Sequence, residues 1–138
     1  MAVATQIIAD TRYRTNVKYL SNAATNSTVS LLDVSSLMGF QTGGKVNLAK
    51  IYWTIDGGGK SLDILWDAGT NVMAFICVGT NGTYGYMPGQ PAIAQPMPLA
   101  GSSTGDVLIT NASATFTLVI EYHKIEATVG HGNGWAAD

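Results

Sequence analysis

One cysteine, two histidines and two glutamates are all that this chain of 138 residues holds of several residue types on which sites are commonly built. A lone thiol makes neither an internal disulfide nor a thiolate metal cage. Cys77 sits in the apolar run Val72-Met-Ala-Phe-Ile-Cys-Val78, with no His or Arg nearby in sequence to activate it. It reads as a small buried hydrophobe, compatible with a reducing cytoplasm. His123 lies in a strand pattern and His131 between two glycines, and neither has a second His, Cys or carboxylate at a ligand spacing. No metal and no cofactor are expected. There is no Gly-x-Ser-x-Gly elbow and no paired general base, so the expectation is a protein that is not an enzyme.

Charge is scarce as well: 12% of residues are charged and the formal net charge is −2. No overall cationic field draws phosphate, which argues against free nucleic acid as a partner. Residues 1–10 lack the basic and long apolar regions of a secretion signal, and no apolar stretch reaches the length of a membrane span. The expectation is therefore no membrane.

What the chain does have is β-pattern. Val46–Asp56 and Ser61–Asp67 each place apolar residues at period two, including Trp53 and Trp66, and the glycines between them predict a hairpin. Further strands are expected at Thr11–Leu20, Thr28–Val34, Val72–Val78, Gly105–Thr110 and Ala114–Ile125, with a turn over Ser21–Ser27 and a short helical turn at Ser35–Gly39. In the last strand Phe116, Leu118, Ile120 and Tyr122 share a face apart from Thr117, Glu121 and Lys124. Val72–Val78 is apolar on both faces, as in a strand buried on both sides or placed at an interface. All four prolines fall between Pro88 and Pro98, in a segment read as an ordered or partner-held loop. The fold class is all-β, a single-domain β-sandwich of jelly-roll type, with an N-terminal arm over residues 1–10, the sandwich over 11–125 and a Gly-rich C-terminal tail over 126–138.

Each remaining candidate has a structural reading beside the chemical one. Asp56-Gly-Gly-Gly-Lys-Ser61 resembles a phosphate cradle only superficially, because Lys60-Ser61 opens a strand and not a helix; it is read as a turn. Asp63, Asp67 and Asp106 lack the loop of a calcium site and are read as solvated turn carboxylates. Trp53 and Trp66 are assigned to the core ahead of a carbohydrate-stacking platform. Partner contacts are expected at the ends of the chain: Ile7 and Ile8, the cations Arg12 and Arg14 on one face of the first strand, and Trp135, an aromatic on a Gly-rich tail.

Five stretches together, Ala4–Arg14, Lys50–Asp56, Leu62–Asp67, Thr104–Thr110 and Val119–Lys124, resemble small virion structural proteins of tailed bacteriophages, the capsid decoration or cement type. The resemblance runs from about residue 4 to residue 124. It implies a non-enzymatic sandwich that docks on the capsid exterior as a homo-oligomer, dimer or trimer, and bridges major capsid proteins after assembly in the host bacterial cytoplasm. The alternatives are a head–tail joining or tail protein, and a carbohydrate-binding module for a host surface.

Overall fold

Inward-facing residues at period two on three long segments determine the architecture. In β2 (Arg14–Leu32), β3 (Lys45–Asp56) and β7 (Val107–Ile125) buried residues alternate with half-buried or exposed ones over most of the length. The remaining strands are β1 (Ala4–Asp10), β4 (Ser61–Trp66), β5 (Val72–Val78) and β6 (Asn81–Tyr84). This computed structural model describes residues 3–40, 45–56, 59–94 and 105–125. The all-β, single-domain expectation holds.

All seven described strands belong to one antiparallel sheet, so the layers expected of a sandwich or jelly roll are two halves of a single sheet. The interruptions of its long ribbons line up. β2 breaks register between Ser21 and Val29, opposite residues 109–116 of β7. On the other side of β7, β3 gives way to β4, and beyond them β6 gives way to β5 through Gly79 and Thr80. We call the half beyond this line leaf 1 (β1, β3, β6, residues 14–21 of β2 and 115–125 of β7) and the other leaf 2 (β4, β5, residues 26–32 of β2 and 107–111 of β7). Inward residues of both leaves, among them Val17, Leu48, Ile51 and Leu118 of leaf 1 and Leu62, Ile64, Trp66 and Ile109 of leaf 2, form one core. A sheet covers itself in this way only by bending.

Polar side chains hold the bend where the ladder fails. Ala23 and Thr28 adopt left-handed backbone, with φ of 56° and 46°, a conformation unfavourable for residues carrying a Cβ. Their amides donate to Thr115 Oγ1 and Thr110 Oγ1, each at 3.0 Å. Asn26 Nδ2 donates to Asn111 Oδ1 at 2.5 Å, and Asn111 Nδ2 donates to Ala24 O at 3.1 Å. Across the fold, Trp53 Nε1 donates to Val78 O at 3.0 Å, and the Trp53 ring meets Phe75 edge-on with centroids 5.7 Å apart. Gly82 permits this, because a Cβ there would run into the Trp53 ring.

At the open end a strap closes the leaves. Residues 33–40, including a 3₁₀ turn at Val34–Ser36, cross from the end of β2. Val34 N donates to Asp106 Oδ1 at 3.0 Å in leaf 2. At the leaf 1 side the buried Lys124 Nζ reaches Asp10 Oδ1 and Thr11 O, each at 2.5 Å, and Met38 O at 2.8 Å, while Met38 N donates to Asp10 Oδ2 at 2.8 Å.

Several expectations are corrected. The arm over residues 1–10 is, from Ala4 to Asp10, strand β1, paired along β2 with a bulge between Ile7 and Ala9. The turn that brings it back is made by Thr11, whose Oγ1 accepts from Arg14 N at 3.2 Å and Tyr13 N at 3.3 Å, and it carries no Gly, Pro or Asn signal. The expected hairpin of Val46–Asp56 with Ser61–Asp67 is absent among the described residues: β3 and β4 follow one another along the same side of β7, and each pairs antiparallel with it. Ser21–Ser27 is bulged strand instead of a turn, which makes β2 one strand of 19 residues. β7 likewise joins the two strands expected at its ends. Lys124 faces inward with Tyr122, not outward with Glu121. The tail over residues 126–138 lies outside the described residues.

Candidate functional site

The outward faces carry what the core leaves unused. On leaf 1 the register sets Arg14, His123 and Asn47 in one rung, Asn16, Glu121 and Lys50 in the next, and Lys18, Val119 and Tyr52 in a third. Gln6 extends the third rung on β1 and Thr83 on β6. His123 Nε2 and Glu121 Oε2 are 2.9 Å apart. Lys50 Nζ lies 5.4 Å from the centre of the Tyr86 ring, and Arg12 stacks over Tyr13 at 5.5 Å, both within cation–π range. An open depression lined by Thr11, Tyr13, Arg14 and His123 sits at the tip of this leaf.

Charge is divided at the bend. Of the seven Lys and Arg residues, six (Arg12, Arg14, Lys18, Lys45, Lys50 and Lys124) belong to leaf 1 and its tip, Lys124 being turned inside, and only Lys60 lies beyond. Asp33, Asp63, Asp67 and Asp106 belong to leaf 2 and its tip, against three carboxylates, Asp10, Asp56 and Glu121, in leaf 1. The net charge of −2 conceals this division.

The second outward feature is an apolar edge. β5 pairs only with β4 among the described strands, and its Met73, Ile76 and Val78 are 48%, 45% and 59% exposed. Of the two placements expected for this run, burial on both faces is not provided by the described residues. The corresponding edge of leaf 1 is partly covered: Ile93 bridges to Leu48 of β3, with Ile93 N donating to Leu48 O at 2.7 Å. Tyr84 Oη donates to Pro91 O at 2.8 Å. At Gly85, φ is 90° and a side chain would strike the Ala49 carbonyl, so this return has room for glycine alone.

The expected contact residues fall on and beside leaf 1. Ile7 and Ile8, 51% and 55% exposed, stand on the edge strand β1. Arg14 belongs to the outward face and Arg12 to the turn at its end, so the structure gathers four of the five predicted residues at one side of the sheet. Trp135 lies outside the described residues. Sequence reasoning missed Lys18 as part of a two-dimensional face, and with it Lys50, Tyr52 and the exposed side of β5. The signals were the Arg12, Arg14, Lys18 alternation and the uncharged run of β5, but only the strand order joins them.

Reactive groups are turned inward. Burial, and then the Asp63 charge, push the Cys77 thiol up to about 12, which leaves little thiolate at neutral pH. Burial also raises the Tyr19 and Tyr122 phenols, whose oxygens share a hydrogen bond at 2.8 Å. Among the described residues no three His, Cys, Asp or Glu side chains gather where they could hold a metal ion, and no helix is long and apolar enough to cross a membrane. Trp66 and Trp53 are core residues, 1% and 7% exposed. No protein-family model matches the chain, and no curated protein matches it in sequence.

Proposed function

We propose that this chain is a non-enzymatic structural protein of a tailed-bacteriophage virion. In this reading it assembles in the host cytoplasm and decorates the capsid exterior as a homo-oligomer, stabilising the shell by bridging neighbouring major capsid proteins. The observation that carries the reading is the exposed apolar content of two outer strands, Ile7 and Ile8 on β1 and Met73, Ile76 and Val78 on β5. Outer strands present unpaired backbone groups, and proteins that stay monomeric blunt them with charge, proline or a cover. β5 has neither charge nor proline. A cement protein acts by adding buried area between subunits in many copies, so modest contacts accumulate through multivalency. Strand addition at an edge and packing on an outward face are contacts of that kind.

The test is co-sedimentation of the purified chain with capsids lacking it. Saturable attachment, with heads that then resist heat or low salt better, supports the reading. Attachment to isolated tails or head–tail connectors alone transfers the protein to those structures. Binding to neither, combined with binding to host polysaccharide, replaces the reading with a carbohydrate-binding module.

A further inference from the structure

Two outward faces of opposite character on one chain restrict how copies of it meet. On leaf 1, Lys18, Val119 and Tyr52 form a rung of cation, aliphatic and aromatic side chains, flanked by Lys50 and Arg14. On leaf 2, the outward rung is Thr110, Asp63 and Ile76, with the exposed Met73 and Val78 along the same strand edge. Each face thus combines apolar surface with charge predominantly of one sign. On leaf 1 the exceptions are Glu121, which is engaged with His123, and the exposed Asp56 at the end of β3 next to the bend.

We infer that copies of this chain associate head to tail, with the outward face of leaf 1 in one copy seated against the outward face of leaf 2 in the next. The inference deepens the self-association named above and rests on it. Two leaf 1 faces related by a twofold axis would set the cationic cluster of Arg14, Lys18 and Lys50 against a second copy of the same cluster. Two leaf 2 faces would oppose Asp63 to Asp63. Like charges brought together at an interface are strongly disfavoured, whereas opposite charges fix orientation and add an attraction that salt screens. The heterologous arrangement pairs Lys18 and Lys50 with Asp63 and brings Tyr52 and Val119 over Ile76. Burial of the apolar groups then drives association, and the charges select the partner face. Heterologous contacts close into a ring when the rotation between copies allows it and otherwise run on as a filament.

The test is the solution mass of the full chain by light scattering coupled to size exclusion, over a range of protein and salt concentrations. The wild type should exceed its monomer mass of 14.5 kDa at low salt and shift toward it as salt rises. Lys18→Glu and Asp63→Lys should each weaken association at least tenfold, and the two changes combined in one chain should restore it. The neutral variants Lys18→Gln and Asp63→Asn should fall between, and circular dichroism should show all of them folded. A wild type that is monomeric throughout overturns the inference. So do single reversals without effect, or a double variant that does not recover. Association abolished by Ile76→Lys but indifferent to both reversals overturns it in favour of edge pairing between two β5 strands. Head attachment is scored separately: a salt-sensitive oligomer that ignores capsids keeps this contact and removes the virion reading, and a monomer that coats capsids does the reverse.

Discussion

In leaf 1 the inward row of β7 runs Phe116, Leu118, Ile120 and Tyr122 and ends in the buried cation Lys124, whereas in leaf 2 it is Val107 and Ile109, set against Trp66 and Ile64. Leaf 1 therefore hides polar groups in pairs deep in its row, Lys124 with Asp10 and Tyr19 with Tyr122, while leaf 2 buries the pair Asn26 and Asn111 at the bend and is apolar along the rest of this row. Outward, the order reverses: leaf 1 is polar and cationic, leaf 2 apolar at its edge and acidic. One core is compatible with both. The inward differences concern how the sheet is held closed, and the outward differences concern what it meets.

The largest expected effect lies in leaf 2. Trp66→Ala removes a side chain that is 1% exposed and should cost about 3–5 kcal/mol in urea denaturation, enough to threaten folding. In leaf 1, Lys124→Ala leaves Asp10 and two carbonyl oxygens without their shared donor. Breaking a buried pair costs about 3–5 kcal/mol, and because the Asp10 side chain keeps 21% exposure the loss should fall at or below the lower end. Amide exchange should rise first in β1 and residues 33–40, the segments that the Lys124 ammonium joins.

These two sites also mark how far the sequence could be read. Period-two alternation in β3, β4 and the second half of β7 was sufficient to place Trp53, Trp66 and Phe116 through Tyr122 in a core of an all-β fold. Lys124 was misplaced because a charged residue at the end of an apolar row is assigned to solvent unless its partner is known, and Asp10 lies 114 residues away. The bend was illegible for a related reason. Ser21–Ser27 has turn composition, yet Thr110, Asn111 and Thr115 from a distant strand hold it extended. Glycines after Asp56 announce a change of direction without saying whether the chain reverses or continues along β7. Of the candidate surface, single residues were visible and the face was not.

A finer comparison uses the phenol pair, which only leaf 1 possesses. Tyr19→Phe should cost about 1–3 kcal/mol because it orphans the buried Tyr122 hydroxyl, and Tyr19→Phe with Tyr122→Phe should cost less than the sum of the singles. Both phenols titrate above their ordinary value of 10 in the folded state. A group raised in this way contributes stability that is complete below its unfolded value and is lost as pH climbs toward the folded one. Stability should therefore fall steeply above pH 10, with Cys77 adding a shallower loss from about pH 9 toward 12. The double phenylalanine variant should retain only the shallower part.

A smaller effect on stability is expected at the bend itself. Thr28 holds φ at 46°, and Thr28→Gly should stabilise by up to about 1 kcal/mol, the left-handed strain relieved being partly offset by glycine's greater unfolded freedom. A loss instead would show that the Thr28 side chain contributes more than its backbone strain costs.

The outward faces are the part of the comparison on which function depends. Lys18→Glu and Ile76→Lys replace surface residues of leaf 1 and leaf 2, and such changes ordinarily alter stability by no more than about 0.5 kcal/mol. The most direct measurement is co-sedimentation of the wild type and these two variants with capsids that lack the protein, alongside their thermal midpoints. The expected result is attachment by the wild type, unchanged midpoints, and attachment sharply reduced in both variants. Full attachment by both variants, at unchanged midpoints, would contradict it.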